Sequence, residues 1–559
     1  MLAVNIRPNF HFFARSQPLC QQQCLRRSSL LNLRRSRRYL NGSAGPQVSS
    51  SLLAADDDPV PSGEGGQKTA SAQWKGTLFK MFESAATTFA TLLILGLAGY
   101  SYHKYYKFLV LQKIEKAFEP GDPVLDLAAL DSGVSDTTLD DNASTRWLRQ
   151  AEQDRIDKVI RGGDRGHYHL LIGEKGTGKS SMLLKAIQKV KGEGIAMLEA
   201  HADLEIFRIR LGKALDYEFH EDYIGSLFSI RGPREGATAL LDIERAFNKL
   251  EKVAAKRRKT LGKPLVLVIN STHLLRDDHD GQDLLELIQQ RAEQWAASGL
   301  ATIVLNSDDY WVYERLKQYS TRMEVLPVLD LDKKQAIGAL KQYRSRFYEQ
   351  EPPPDILEQV YDMVGGRLTF LARVAKSVNM LQECKDIYDM EKTWFLNNNW
   401  ILGSGMDDDV MDQQKYASAA MVLAKALVNE EKELERTYDP EKGHILPQLP
   451  LHKAREIMTR SDFIKDYDHN NIFTIDAQAM VRADSVPMQN AFREICGHPG
   501  FEKHLDATLN RIAAIESLGR TRELVAKDLV SGHYQIKGKS DKGNGISVGM
   551  QQTEPFEDH

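Results

Sequence analysis

At 559 residues the chain has length for two or three domains, each with its own core. Its 42% hydrophobic and 27% charged residues are ordinary for a globular protein, and a net charge of −4 gives the whole chain no bias toward nucleic acid or a membrane surface. The four cysteines, Cys20, Cys24, Cys384 and Cys496, make neither a disulfide framework nor a metal-ligand spacing.

Charge is distributed unevenly along the chain. The first acidic residue is Asp56, whereas Arg7, Arg15, Arg26, Arg27, Arg34, Arg35, Arg37 and Arg38 precede it, among several serines. An Arg-rich, Ser-rich, acid-free start resembles a mitochondrial presequence, expected over residues 1–45. The alternative is a basic arm for nucleic acid. A disordered linker is expected over 46–83. The uncharged stretch SAATTFATLLILGLAGYSY, 84–102, predicts a transmembrane helix, because at about 1.5 Å per residue it spans roughly the hydrocarbon layer. Tyr100, Tyr102, Tyr105 and Tyr106 fit an aromatic belt at headgroup level. These features predict a single-pass anchor in the mitochondrial inner membrane. Lys104, Lys107, Lys113 and Lys116 favour a matrix-facing C-terminal side, whereas a presequence followed by a stop-transfer helix favours the intermembrane space. Residues 103–145 are expected to form a basic flank and then an acidic tether. From Ala117 to Thr145 there are seven acids and no Lys or Arg.

The segment HYHLLIGEKGTGKSSMLLKAI, 167–187, carries the strongest motif. A short apolar strand leads into Gly173-Glu174-Lys175-Gly176-Thr177-Gly178-Lys179-Ser180-Ser181 and then into an amphipathic helix. This is a P-loop in its required strand–loop–helix context. Its glycines let backbone N–H groups turn inward around phosphates, and the following helix adds its positive dipole end. Lys179 is expected to reach the β- and γ-phosphates of ATP, and the Ser180 hydroxyl to bind Mg²⁺.

Strands and helices then alternate to Leu331, the pattern of an α/β fold with a parallel sheet covered on both faces. The predicted elements are a strand in IAMLEAHA (195–202), an amphipathic helix over 239–259, a buried strand LVLVIN ending at Asn270, a strand from 300 to Asn306, and a last strand in MEVLPVLDL (323–331). In this order of elements the chain resembles the AAA+ P-loop ATPases, on their initiator-like (Orc-like) and archaeal-ATPase branches. The resemblance implies a nucleotide-binding core over 146–330 and a helical lid over 331–405. It also implies a sensor role for Asn306, an arginine finger at Arg322 acting on a neighbouring subunit, and a nucleotide contact from Arg367, which follows Gly365-Gly366. A homo- or hetero-oligomer and a protein client are further expectations of it.

One departure bears on chemistry. In the family pattern the strand equivalent to LVLVIN ends in Asp-Glu, holding Mg²⁺ and activating water. Here Asn270 and Ser271 stand in those places. Asn270 retains an oxygen but brings no charge, and Ser271 cannot act as a base near neutral pH without an activating partner. Substitutes within reach of the sequence are His273, the cluster Asp277, Asp278, Asp280 and Asp283, and the pair Asp308 and Asp309. The expectation is therefore ATP binding with weakened hydrolysis, or else a nucleotide-gated scaffold.

The C-terminal third predicts a helix over 415–431, a helical pair over 449–467 and two short strands, 472–476 and 479–485. Together they suggest a winged-helix domain over 406–500. Lys453, Arg455 and Arg460 alternate with Glu456 and Asp462, so nucleic acid is not the favoured partner. A helix over 501–535 and a disordered tail over 536–559 complete the reading.

Overall fold

The computed structural model describes residues 70–121, 150–219, 238–348, 352–531, 533–541 and 545–553. The expected presequence over 1–45 and most of the expected acidic tether lie outside them.

A single helix, α1 (Ala70–Lys116), contains the predicted membrane span and overruns it at both ends. It is long and apolar enough over Phe79–Lys116 to cross a membrane, and the 18-residue stretch that qualifies it has no buried share. Phe82, Phe89, Leu92 and Ile94 stand exposed along it. One expectation is corrected here: residues 70–83 are helical rather than a disordered linker. The basic flank continues the helix, since 103–116 contains no Gly or Pro to end it. Val110 and Ile114 fall four apart on one face and are buried with Phe118 in the main core. Arg257 donates to the Phe118 carbonyl and Lys256 pairs with Glu115 at 2.6 Å, which fixes this end of the helix to the folded body.

The α/β core runs α2 (Gln150–Ile160), β1 (Tyr168–Ile172), α3 (Lys179–Lys189), β2 (Ile195–Glu199), α4 (Leu204–Ala214), α5 (Ala239–Leu261), β3 (Leu265–Asn270), α6 (His279–Ser298), β4 (Ala301–Ser307), α7 (Tyr310–Lys317) and β5 (Met323–Pro327). The five strands are parallel in the order β2-β3-β4-β1-β5. β3 and β4 are buried at every position, as strands covered on both faces must be. With all strands parallel, Glu199, Asn270 and Asn306 come to the same edge of the sheet as the loop after β1. This is the edge where open α/β sheets place ligands.

The lid contains α8 (Lys333–Tyr348), α9 (Pro354–Val364), α10 (Leu368–Lys376) and α11 (Met380–Asn398), with a core of its own. Then come α12 (Met411–Glu433), a small hairpin of β6 (Tyr438–Asp439) and β7 (Gly443–His444), and β8 (Leu449–Pro450). The C-terminal domain continues with α13 (Leu451–Met458), α14 (Phe463–His469), β9 (Phe473–Ile475), β10 (Met480–Ala483), α15 (Val486–Gly497) and α16 (Phe501–Ser531). Its three-stranded sheet, β8-β10-β9, adds a strand to the two that were expected. This helix-and-wing unit shares one continuous apolar cluster with the α/β core, through residues such as Tyr310, Trp311, Phe473 and Phe492.

The expected disordered tail is corrected as well. β11 (His533–Asp541) and β12 (Gly545–Thr553) pair as antiparallel strands, with Ile536 opposite Met550. Ladder hydrogen bonding outweighs a composition rich in Gly, Lys, Ser and Gln.

Candidate nucleotide site

The cradle is built by close packing at glycine. A Cβ on Gly173 would lie 2.0 Å from the Val328 carbonyl oxygen, so the first turn of the loop admits no side chain. Gly178 caps α3 at φ 96°, a left-handed conformation open to glycine without strain. Lys179 is buried, and its ammonium donates to the Gly173 and Glu174 carbonyls at 2.8 Å and pairs with Asp308 at 2.8 Å. Thr177 Oγ1 donates to the Glu174 carbonyl at 3.0 Å.

Beside the cradle, three strand ends form a polar cluster. Ser180 Oγ donates to Asn270 Oδ1 at 3.0 Å. Asn306 Nδ2 donates to Asn270 Oδ1 at 2.6 Å and to Ser180 Oγ at 3.1 Å. Asn270 and Asn306 are both buried, and Asn306 Oδ1 has no hydrogen-bond partner among the described residues. Asn270 Nδ2 donates in turn to Glu199 Oε1 at 3.2 Å. Thr272 Oγ1 ties the β3 end to the Asn306 carbonyl at 2.7 Å, after Ser271 has turned the chain at φ 55°. Oxygen donors from Ser180 and Asn270 suit a hard cation such as Mg²⁺.

A cavity of about 410 Å³ opens against Gly176, Lys179, Ser181 and Asp308 on the core side, and Tyr343, Leu368 and Thr369 on the lid side. The N-terminal end of α10 closes on the loop, with the Thr369 N–H donating to the Gly176 carbonyl at 3.3 Å.

Arg367 precedes α10 and is fully enclosed. Its guanidinium donates to Asp330 at 2.7 Å, to Asp484 at 3.0 Å and to the Lys175 carbonyl of the loop at 2.9 Å. Burial disfavours its charge, but Asp330 and Asp484 outweigh that and raise its pKa well above the ordinary value. On β10, Arg482 pairs with the loop carboxylate of Glu174. Two buried arginines thus join the loop to the lid and to the wing.

Asp308 reaches the cleft through Lys179, and its N–H donates to His273 Nδ1 at 3.2 Å. Asp309 pairs instead with His469 at 2.7 Å, on the C-terminal domain. In the cluster after β3, Asp278 caps α6 by accepting from the Gly281 N–H, and Asp277 pairs with Lys465 at 3.2 Å. Arg322 is exposed at the opposite end of the sheet, where it donates to the Gly166 carbonyl at 3.5 Å. It is not brought to this chain's own site.

Two family models match. The AAA ATPase domain covers residues 148–303, and the C-terminal winged helix domain of fungal AAA proteins covers 397–516. The chain carries an AAA ATPase core and a fungal AAA winged helix. No curated protein matches it. Among solved structures it is similar to a Walker-type ATPase of Pyrococcus abyssi, at 13% identity over 62% of this chain and 95% of that one, with a TM-score of 0.39. It is similar to the Orc1 protein of Aeropyrum pernix solved in complex with DNA, at 14% identity over 64% and 95% of the two chains, TM-score 0.33. It is similar also to AMPPCP-bound DnaA from Aquifex aeolicus, at 12% identity over 56% and 86%, TM-score 0.27.

Sequence reasoning missed Glu199, Asp330, Arg482 and Asp484 around the AAA site. A signal existed for the first. IAMLE is an apolar strand that ends on a charged residue, as LVLVIN and ATIVLN end on amides. For the two wing residues there was none, since nothing local in AMVRADS points to a loop some 300 residues earlier.

Proposed function

We propose that this AAA protein is a membrane-anchored, ATP–Mg²⁺-binding switch of mitochondria, slow in hydrolysis, whose winged helix passes the nucleotide state to a protein partner. The observation that carries this reading is the pair of buried arginines. Any shift of the loop on binding phosphate bears on Arg367 through the Lys175 carbonyl and on Arg482 through Glu174. Both lead to the same short stretch of β10 and its end, Arg482 to Asp484.

ATP is the expected ligand. Its phosphates replace the carbonyls now bound by Lys179, and the lid-side cavity is large enough for the nucleoside. Ser180 and Asn270 would hold Mg²⁺, which on binding neutralises phosphate charge. Asn306 Oδ1, buried and without a partner among the described residues, is placed to accept a hydrogen bond from a water or phosphate-bound proton. Slow hydrolysis follows from Asn270 and Ser271, which leave β3 without a carboxylate at its end.

The anchor supports the switch. The helix docks on the core from Tyr106 onward, about 6 Å beyond Tyr102 at helical rise, so the core is held near the membrane surface. In the winged helix, α14 faces the core through Lys465, Asp468 and His469. That favours a protein partner over DNA. The exposed Arg322 suits a role toward a neighbouring copy in an oligomer.

The test uses the full chain in lipid nanodiscs. Binding of MgATP is expected to change hydrogen exchange across 449–484, with phosphate released more slowly than about 1 s⁻¹. Faster turnover with no change in the wing sinks the switch. Protease protection on intact and swollen mitochondria tests the location and the side of the membrane.

A further inference from the structure

The Walker-type strand lacks its carboxylate, yet a carboxylate stands beside it. β2 pairs with β3 in parallel register, with Glu199 directly opposite Asn270. The Glu199 side chain is exposed at the tip of β2, and Asn270 Nδ2 donates to its Oε1 at 3.2 Å. From the Ser180 hydroxyl to this carboxylate is a path of two hydrogen bonds, through Asn270.

The other acids near the site each hold a cation or cap a helix. Asp308 pairs with Lys179, and Glu174 is buried against Arg482. Asp278 caps a helix, and Asp277 pairs with Lys465. Among the described residues, Glu199 enters no ion pair. Arg210 binds the strand end only through the Glu199 and Ala200 carbonyls, at 3.2 and 2.9 Å, which fixes the backbone and leaves the carboxylate to the cluster.

Asn270 then takes on a different meaning. An Asp there would set two carboxylates against each other across the β2–β3 register, and like charges so close disfavour ionisation of both. The amide removes that conflict. Its oxygen faces Ser180 and its N–H₂ holds Glu199.

We propose that Glu199 is the catalytic carboxylate of this site, moved from the end of β3 to the end of the neighbouring strand. This rests on the reading that the site binds ATP. In the step, the oxygen of water attacks the γ-phosphorus and the bond from that phosphorus to the β–γ bridging oxygen breaks. ADP leaves with the electron pair of that bond. Glu199 takes a proton from the attacking water and passes it to solvent, giving ADP and inorganic phosphate. A positioned general base contributes about 10²–10⁴-fold to such a step.

The experiment compares the full chain with Glu199→Gln and Glu199→Asp. Gln keeps an oxygen to accept from Asn270, so the cluster stays intact. Fluorescent ATP is titrated with Mg²⁺ for binding, and nucleotide from the quenched single-turnover complex is separated into ATP and ADP. Wild type is expected to bind ATP and convert it slowly to ADP. Glu199→Gln is expected to bind within about 2-fold of wild type while conversion falls about 100-fold or more, so that ATP is recovered intact. Glu199→Asp should fall between the two. Conversion by Glu199→Gln at the wild-type rate overturns the proposal. So does lost binding in that variant, which would make Glu199 structural, or a wild type that binds ATP and never converts it. A wild type that fails to bind ATP overturns the underlying reading instead.

Discussion

The two sides of the nucleotide cleft are held in different ways. On the cradle side, Gly173 packs against a backbone oxygen, Lys179 is enclosed by carbonyls and a carboxylate, and Arg367 and Arg482 clamp the loop from the lid and the wing. On the strand side, neutral amides and a hydroxyl hold one another, and the one carboxylate in contact, Glu199, is exposed. The first arrangement fixes geometry through buried charge. The second holds its groups through hydrogen bonds between neutral amides and a hydroxyl. On the proposed function, nucleotide binding and nucleotide cleavage are separable by substitution.

The largest effect is expected from the clamp. Arg367→Ala leaves Asp484 buried without its cation, and breaking one side of a buried ion pair costs about 3–5 kcal/mol. The unfolding midpoint should fall by roughly 10 °C. A fall under about 2 °C, within the effect of an ordinary surface change, would mean that the wing is held by its apolar contacts alone and that the arginine carries no coupling.

Lys179→Ala comes next. Two charge-assisted hydrogen bonds, each worth about 1.5–3 kcal/mol, place the loss of ATP affinity at about 10²-fold or more, and the midpoint should fall less than in Arg367→Ala because Asp308, left without its cation, is partly exposed. Titration with fluorescent ATP measures it. Full affinity in the variant would move the phosphate site away from this loop.

Gly173→Ala tests the backbone packing itself. The new methyl meets the Val328 carbonyl at 2.0 Å, and overpacking of this kind costs about 1–3 kcal/mol. ATP affinity should weaken with stability, because the displaced turn is also the cradle. Unchanged affinity would show that the loop tolerates movement and that the two sides of the cleft differ less than their contacts suggest.

The same contrast explains what was legible in the sequence. The cradle is eight contiguous residues whose glycines and lysine act through local geometry, so Gly173 to Ser180 declare themselves without tertiary information. β3 and β4 declared themselves through unbroken apolar runs. The strand-side chemistry is different, because Glu199 and Asn270 are 71 positions apart and meet only through strand register. The wing contacts are more remote still, since Arg482 and Glu174 lie 308 positions apart. A single sequence has no local signal for such a pair. The helical continuation to Lys116 was missed because the basic residues were weighed as charge. The i, i+4 spacing of Val110 and Ile114 pointed to packing.

The smallest expected effect concerns pH, and it falls on the cradle side. Glu391 on α11 lies near Arg367, Asp484 and Lys175, and its pKa is raised from 4.5 to about 7. Burial is the main cause and repulsion from Asp484 the second, while Arg367, Arg373 and Lys175 pull the other way. In the unfolded chain the group titrates near 4.5, so between about pH 4.5 and 7 the folded state binds the extra proton. The stability that comes from holding it is complete below pH 4.5 and is lost as pH rises through 7. Glu391→Gln keeps the neutral shape at every pH. Its midpoint should match wild type at pH 5 and exceed it by a few degrees at pH 8. Because Arg367 is the principal cation facing Glu391, the difference should grow in an Arg367→Ala background. A difference that stays constant from pH 5 to pH 8 would show that Glu391 does not feel the buried charges of the clamp, and that the cradle's electrostatic network ends at Asp484.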